Sequence, residues 1–183
     1  MNTLVKYFFL LSFITSFSQN NEQETDSIGK DILDASYFLK NNTVYKKTNQ
    51  KTFSYQNFAL GNVSTVDILN SQEVVVFYKD FNSVVILDNQ LNEIDKITFQ
   101  DTILFARKGI ANKIWLFNAD NNKIDLYDYK SNTISLSSQI ITDFKPLNME
   151  SGFNYVKLKG KNKTLIFDQY LNLTESKIQQ KNH

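Results

Sequence analysis

Apolar residues along this chain fall in short runs, each closed by a few polar residues, and the alternation returns again and again. The runs Val74–Tyr78, Val84–Leu87, Ile114–Phe117 and Thr164–Phe167 are β-branched and aromatic. They are too short for helices and lack helical spacing, so they predict strands. The polar positions keep time with them. Asn42, Asn82, Asn122 and Asn162 lie forty residues apart, and Asp88, Asp128 and Asp168 keep the same interval, as do Asn92, Asn132 and Asn172. A fixed period of this length marks copies of one supersecondary unit.

Each copy reads as an apolar strand, a short polar turn bearing the first Asn, and a second apolar strand ending at Asp. A third strand follows the Asp turn, at 93–99, 133–138 and 173–178, with the apolar and polar alternation of a half-exposed edge. A fourth precedes each hairpin, at 63–69, 102–106 and 144–148. The inner strand of the first copy is not evident in the pattern. The expected fold is all-β: a β-propeller-like array of about four four-stranded antiparallel blades with a 40-residue period. Four copies could close tightly, form an open arc or belong to a longer array.

The periodic polar residues have a conformational reason. Asp at the first position of a type I turn bonds backbone N–H groups with its carboxylate. Asn tolerates positive φ, which a hairpin loop needs where the chain rejoins the next strand. Glycine does this more often, but the chain has only five.

The stretch Ile114-Trp115-Leu116-Phe117-Asn118-Ala119-Asp120-Asn121-Asn122-Lys123-Ile124-Asp125-Leu126-Tyr127-Asp128 resembles the middle hairpin of NHL-type and YWTD-type propeller blades, and Val75–Asp88 is similar. The resemblance runs from about Tyr37 to Ile178. Here the turn is shorter, the usual turn glycine is missing, and the basic residue of the NHL pattern survives only as Lys123 or Lys163. It implies a fold and a tendency to bind partners or ligands, and no single activity.

Residues 1–18 read as a secretory signal peptide: Lys6 supplies the charge, Tyr7–Ile14 the apolar core, and Ser16-Phe17-Ser18 the small residues before a mature start at Gln19. The apolar run is shorter than the roughly 20 residues that span a bilayer. Residues 19–30 are expected as a flexible leader, 31–178 as the repeat domain and 179–183 as a frayed tail. The chain is thus expected to be exported, to the periplasm, outer surface or medium. The chain has no cysteine, which removes disulfides, thiolate chemistry and a lipid-modified cysteine. With its many Asn, Lys and Ile, that leans towards a bacterial exported protein. Net charge is +1 and Arg107 is the single arginine, so the basic stripe of a nucleic-acid binder is missing.

The candidate chemistry is sparse. The one histidine is His183, the last residue, which leaves no Ser-His-Asp set and no His-based metal site. Asp67, Asp80, Asp120 and Asp143 fall near predicted strand ends and are the carboxylates a glycoside hydrolase would use. Asp80-x-Asn82 and Asp120-x-Asn122 set two oxygens on neighbouring turns, an arrangement open to calcium, but calcium wants six to eight oxygens and turn chemistry accounts for these residues, so no cofactor is expected. Phe81 falls inside a turn and is expected to be exposed. Asp80, Phe81, Asn82, Asp120 and Asn122 are therefore the candidate ligand-binding residues. The expected function is an exported non-catalytic binding or assembly module for a protein or saccharide partner of the envelope, self-associating if the array is open. The alternative is an exported carbohydrate-active hydrolase using aspartates.

Overall fold

The computed structural model describes residues 25–178. The signal segment, residues 19–24 and the tail lie outside the described residues. Blade 1 contains β1 (Thr25–Lys30), β2 (Ser36–Lys40), β3 (Thr43–Lys47) and β4 (Thr52–Tyr55). Blade 2 contains β5 (Thr65–Asn70), β6 (Glu73–Tyr78), β7 (Ser83–Leu87) and β8 (Glu93–Thr98). Blade 3 contains β9 (Ile103–Lys108), β10 (Lys113–Asn118), β11 (Lys123–Asp128) and β12 (Thr133–Ser137). Blade 4 contains β13 (Asn148–Ser151), β14 (Tyr155–Lys159), β15 (Lys163–Asp168) and β16 (Leu173–Ile178). Each blade is one antiparallel meander in chain order. In blades 2, 3 and 4 the pairing of the third strand with the fourth slips at equivalent places, Ile86/Leu87, Leu126/Tyr127 and Ile166/Phe167. The slip thus recurs at the interval of the asparagines.

Strand periodicity explains why the middle strands are apolar throughout. Side chains alternate between faces along a strand. Val74, Val76 and Tyr78 of β6 therefore pack towards blade 1, against Tyr37 and Val44. Val75 and Phe77 of the same strand pack towards blade 3, against Ile114 and Leu116. A third core joins Trp115, Phe117, Ile124 and Leu126 of blade 3 to Met149, Val156 and Leu158 of blade 4. Among the described residues no core joins blade 4 back to blade 1, so the propeller-like blades form an open row.

Two expectations need correction. Residues 25–30 of the expected leader form β1, which is the inner strand the pattern did not reveal in the first copy. An inner strand is held by its ladder to β2 and needs little apolar surface of its own, so Thr-Asp-Ser-Ile-Gly-Lys can form one. The strand expected at 144–148 begins instead at Asn148. Pro146 lacks an N–H for a ladder, and Phe144 packs from the connecting loop into the seam between blades 3 and 4.

Candidate functional site

Strand direction puts the turns after β2, β6, β10 and β14 on one end of the row, with the three connections between blades. Asn42, Asn82 and Asn122 occupy these turns with φ of 60°, 50° and 50°. Two of them do more than turn the chain. Asn82 donates Nδ2 to the Asp101 carbonyl (2.7 Å) and accepts the Ile103 N–H on Oδ1 (2.9 Å). Asn42 grips Gly61 and Val63 in the same way, at 2.7 and 2.6 Å. Each amide thus imitates one rung of a β-ladder and fastens its blade to the connection leading to the next. The side chain of Asn122 makes no such bond; only its carbonyl is used, accepting from Ile141 N–H.

The Asp turns behave as turn chemistry predicts. Asp88 accepts the N–H groups of Gln90 and Asn92, and Asp168 those of Tyr170 and Asn172. Asp128 accepts those of Lys130 and Ser131. Asn132 has φ 55°, whereas in blades 2 and 4 the left-handed position is taken by the residue just before Asn, Leu91 and Leu171.

The five candidate binding residues divide sharply. Asp120 is committed, because Oδ2 accepts the Thr102 N–H at 2.9 Å. Asn82 and Asp120 both hold the connection into β9, so these side-chain oxygens are already engaged by backbone N–H groups. No group of three or more acidic, histidine or cysteine side chains among the described residues could hold a metal. Phe81 is half exposed at 50% and lies over Gly61, whose φ is 70° and where an added Cβ would sit 3.1 Å from the ring. Close to Gly61 in sequence and on the same end, Phe58 is 77% exposed in the short 3₁₀ turn Phe58–Leu60 that Gly61 closes. Asp80 is exposed beside Phe81 in a second such turn. Exposed at this end are Phe81, Phe58 on the connection that Phe81 lies over, and the carboxylate of Asp80.

The four aspartates proposed for hydrolysis lie on separate elements and share no hydrogen-bond partner. Asp67 sits where the inner strands meet. It accepts from Leu69 N–H (2.9 Å), Lys108 N–H (3.0 Å) and Ser151 Oγ (3.1 Å), tying β5, β9 and β13 together. Arg107 adds to this tie by donating Nε to the Met149 carbonyl at 2.7 Å. Burial pulls its guanidinium below the ordinary value, and Asp67 and Glu150 pull it back. These groups line a groove of about 420 Å³ among the inner strands, where the hydrogen bonds of Asp67 and of Arg107 Nε hold those strands together. Asp143 is exposed on the connection between blades 3 and 4.

One polar group escaped sequence reasoning. Asp125 lies inside the apolar run of β11 and is 4% exposed. Its signal was present, for it stands where the other middle hairpins carry Val85 and Leu165.

No protein-family profile and no curated protein matches the chain. Solved structures do. Virginiamycin B lyase from Staphylococcus aureus matches with TM-score 0.63 and 15% identity over 89% of this chain and 58% of that one. BamB from Moraxella catarrhalis matches with TM-score 0.55 and 13% identity over 85% and 51%. The Neurospora crassa Pan2 WD40 domain matches with TM-score 0.56 and 11% identity over 79% and 49%. The chain therefore spans between about half and three fifths of the length of these proteins. At such identities the likeness establishes the propeller-type fold alone, and a set running from a lyase to a WD40 domain fixes no activity.

Proposed function

We propose that this chain is an exported, non-catalytic binding module that takes a protein partner on its turn-bearing end. The observation that carries the reading is the contrast at that end. Asn42, Asn82 and Asp120 are consumed in fastening the connections, while Phe58 and Phe81 face solvent with nothing to cover them among the described residues. Exposed aromatic rings on rigid turns supply contact area at small entropic cost, as binding anchors do. Asp80 beside them offers an acceptor to a donor on the partner. Support for a non-catalytic role comes from the carboxylates, since Asp67 and Asp120 already accept backbone N–H groups.

The test is chemical crosslinking in the native envelope, followed by identification of the captured species, with wild type and a Phe58→Ser/Phe81→Ser variant. The expected result is a defined partner protein lost in the variant. An unchanged set of captured proteins would remove this end from consideration. Binding of a glycan panel with no captured protein would move the reading to a saccharide. Turnover of a polysaccharide abolished by substituting one aspartate would replace it by the hydrolase alternative.

A further inference from the structure

Two inward-facing carboxylates of this protein each face a buried lysine. Asp31, 8% exposed, faces Lys46 at 3.5 Å, and both side chains are almost fully enclosed. Glu73 faces the buried Lys108 at 3.1 Å. Asp125 differs from Asp31. It is buried too, yet it has no ion pair among the described residues. Lys123, two residues earlier on the same strand face, makes none either. Asp125 accepts only from Ser137 Oγ on Oδ1 (2.5 Å) and, at a long 3.4 Å, from Asn118 Nδ2 on Oδ2.

The surroundings have the character of a site. Asn118 accepts the N–H groups of Asp120 and Asn121 on Oδ1, which fixes its amide so that Nδ2 points at carboxylates. That nitrogen donates to Asp101 at 2.8 Å as well as reaching Asp125, so two carboxylates converge on one weak neutral donor. They line a cavity of about 190 Å³ in the seam between blades 2 and 3. Its walls are the edge-to-face rings of Phe99 and Tyr127, with centroids 5.1 Å apart, and the exposed Ile134. The cavity has a local cause: the carboxylate replaces the aliphatic side chain that fills this place as Val85 and Leu165. An anionic floor, aromatic walls and no internal cation are complementary to a charged nitrogen on a short apolar stem. Its N–H groups satisfy the carboxylates and the rings accept its charge and alkyl part. Calcium fits poorly, since it takes six to eight oxygens.

We propose that the seam between blades 2 and 3 binds a small organic ammonium ion, with Asp125 and Asp101 as its counter-ions. The site is separate from the Phe58/Phe81 patch, so either reading can fail alone. The experiment is a titration with butylammonium chloride at pH 7 and low salt, followed by the aromatic NMR signals of Tyr127 and Phe99. The controls are 1-butanol and calcium chloride. Saturable binding with a dissociation constant on the order of 1 mM is expected for a ligand this small. Asp125→Asn, which keeps the shape and the Ser137 contact, should weaken it at least tenfold. Asp101→Asn, at an exposed position, should weaken it severalfold without risk to the fold. Butanol should bind wild type and Asp125→Asn alike. Lys123→Met should leave binding intact or tighter. Three outcomes would each overturn the proposal: no saturation, equal binding by all the aspartate variants, or calcium binding that depends on Asp125 while the amine does not bind. A collapse of stability in Lys123→Met would also overturn it, because that lysine would then be the counter-ion.

Discussion

The face that blade 2 turns towards blade 1 and the face that blade 1 turns outward occupy the same place in the repeat, yet they are built differently. On blade 2 the cross-strand pair Val74–Leu87 is wholly buried, and its equivalents on blades 3 and 4 are Ile114–Tyr127 and Val156–Phe167. On blade 1 the pair is Ser36–Lys47. The other end of the row shows the same change. Blade 3 offers blade 4 the pairs Trp115–Leu126 and Phe117–Ile124. Blade 4 turns outward the pairs Lys157–Ile166 and Lys159–Thr164, with Glu150 paired to both lysines. Faces of a repeat unit that meet water need polar cover, and among the described residues both outward faces carry a lysine in pairs that are wholly apolar in the seams. The exception is Phe38 stacked on Tyr45 in the middle of the blade 1 face, with centroids 5.0 Å apart. Openness of the array therefore does not by itself create a sticky surface, and self-association does not follow from it alone.

The largest test of this contrast is to truncate one residue on each side of it. Trp115→Ala should cost about 3–5 kcal/mol, because it empties a fully buried site. Lys157→Ala on the free face should change stability by less than about 0.5 kcal/mol. Urea unfolding of both variants measures this. Comparable losses would mean that the free face of blade 4 is packed against something in solution.

Next in size is conversion of a free face into an interior one. Ser36→Val/Lys47→Leu restores the pattern of Val74–Leu87 on blade 1. Wild type should sediment as a monomer, and the double variant should self-associate at micromolar concentration, since each newly buried aliphatic side chain contributes about 1.5–3 kcal/mol. Self-association of wild type that Phe38→Lys abolishes would instead make the aromatic pair an interface.

A smaller effect separates the seams from one another. Asn82→Ala removes two bonds to the next connection, whereas Asn122→Ala removes none from its side chain. Both positions have the same left-handed φ, so that cost cancels. The first variant should be less stable than the second by about 1–2 kcal/mol in urea melts. Equal stabilities would mean that the Asn82 clamp adds nothing beyond turning the chain.

The sequence disclosed what is periodic and local. The hairpins and the Asp turns follow from short stretches of residues and their repetition, but of the periodic asparagines only Asn42, Asn82, Asn122 and Asn132 are left-handed, while Asn92, Asn162 and Asn172 are not. β1 was hidden because an inner strand can be polar. The role of Asn82 was hidden because its partners, Asp101 and Ile103, are nineteen and twenty-one residues away. Only the folded connection brings them back to the turn. Phe81 could be placed on the surface from its position in a turn, but its seat over Gly61, twenty residues earlier, could not. Asp125 was legible in principle, as the one charged residue at a position that two other copies fill with aliphatic side chains.

The smallest expected effect concerns acid, and it returns to the free face of blade 4. Hydrogen bonding to Lys159 and the charges of Lys159 and Lys157 hold the Glu150 carboxyl below its ordinary value, against partial desolvation. A carboxyl depressed in the folded state stabilises it above the ordinary glutamate value of about 4.3. That contribution is lost as the pH falls through the lower folded value. The carboxylate is 41% exposed on its side chain, so solvent screens the interaction. The contribution at neutral pH should be no more than about 0.5 kcal/mol, as for other surface pairs. Wild type should therefore exceed Glu150→Gln in stability by that small margin between about pH 6 and 8, and the two should converge below about pH 3. A gap that widens on acidification would have the wrong sign for a depressed carboxyl. A gap several times larger at neutral pH would mean that the blade 4 face is covered and dry, like the seams, and not turned to water.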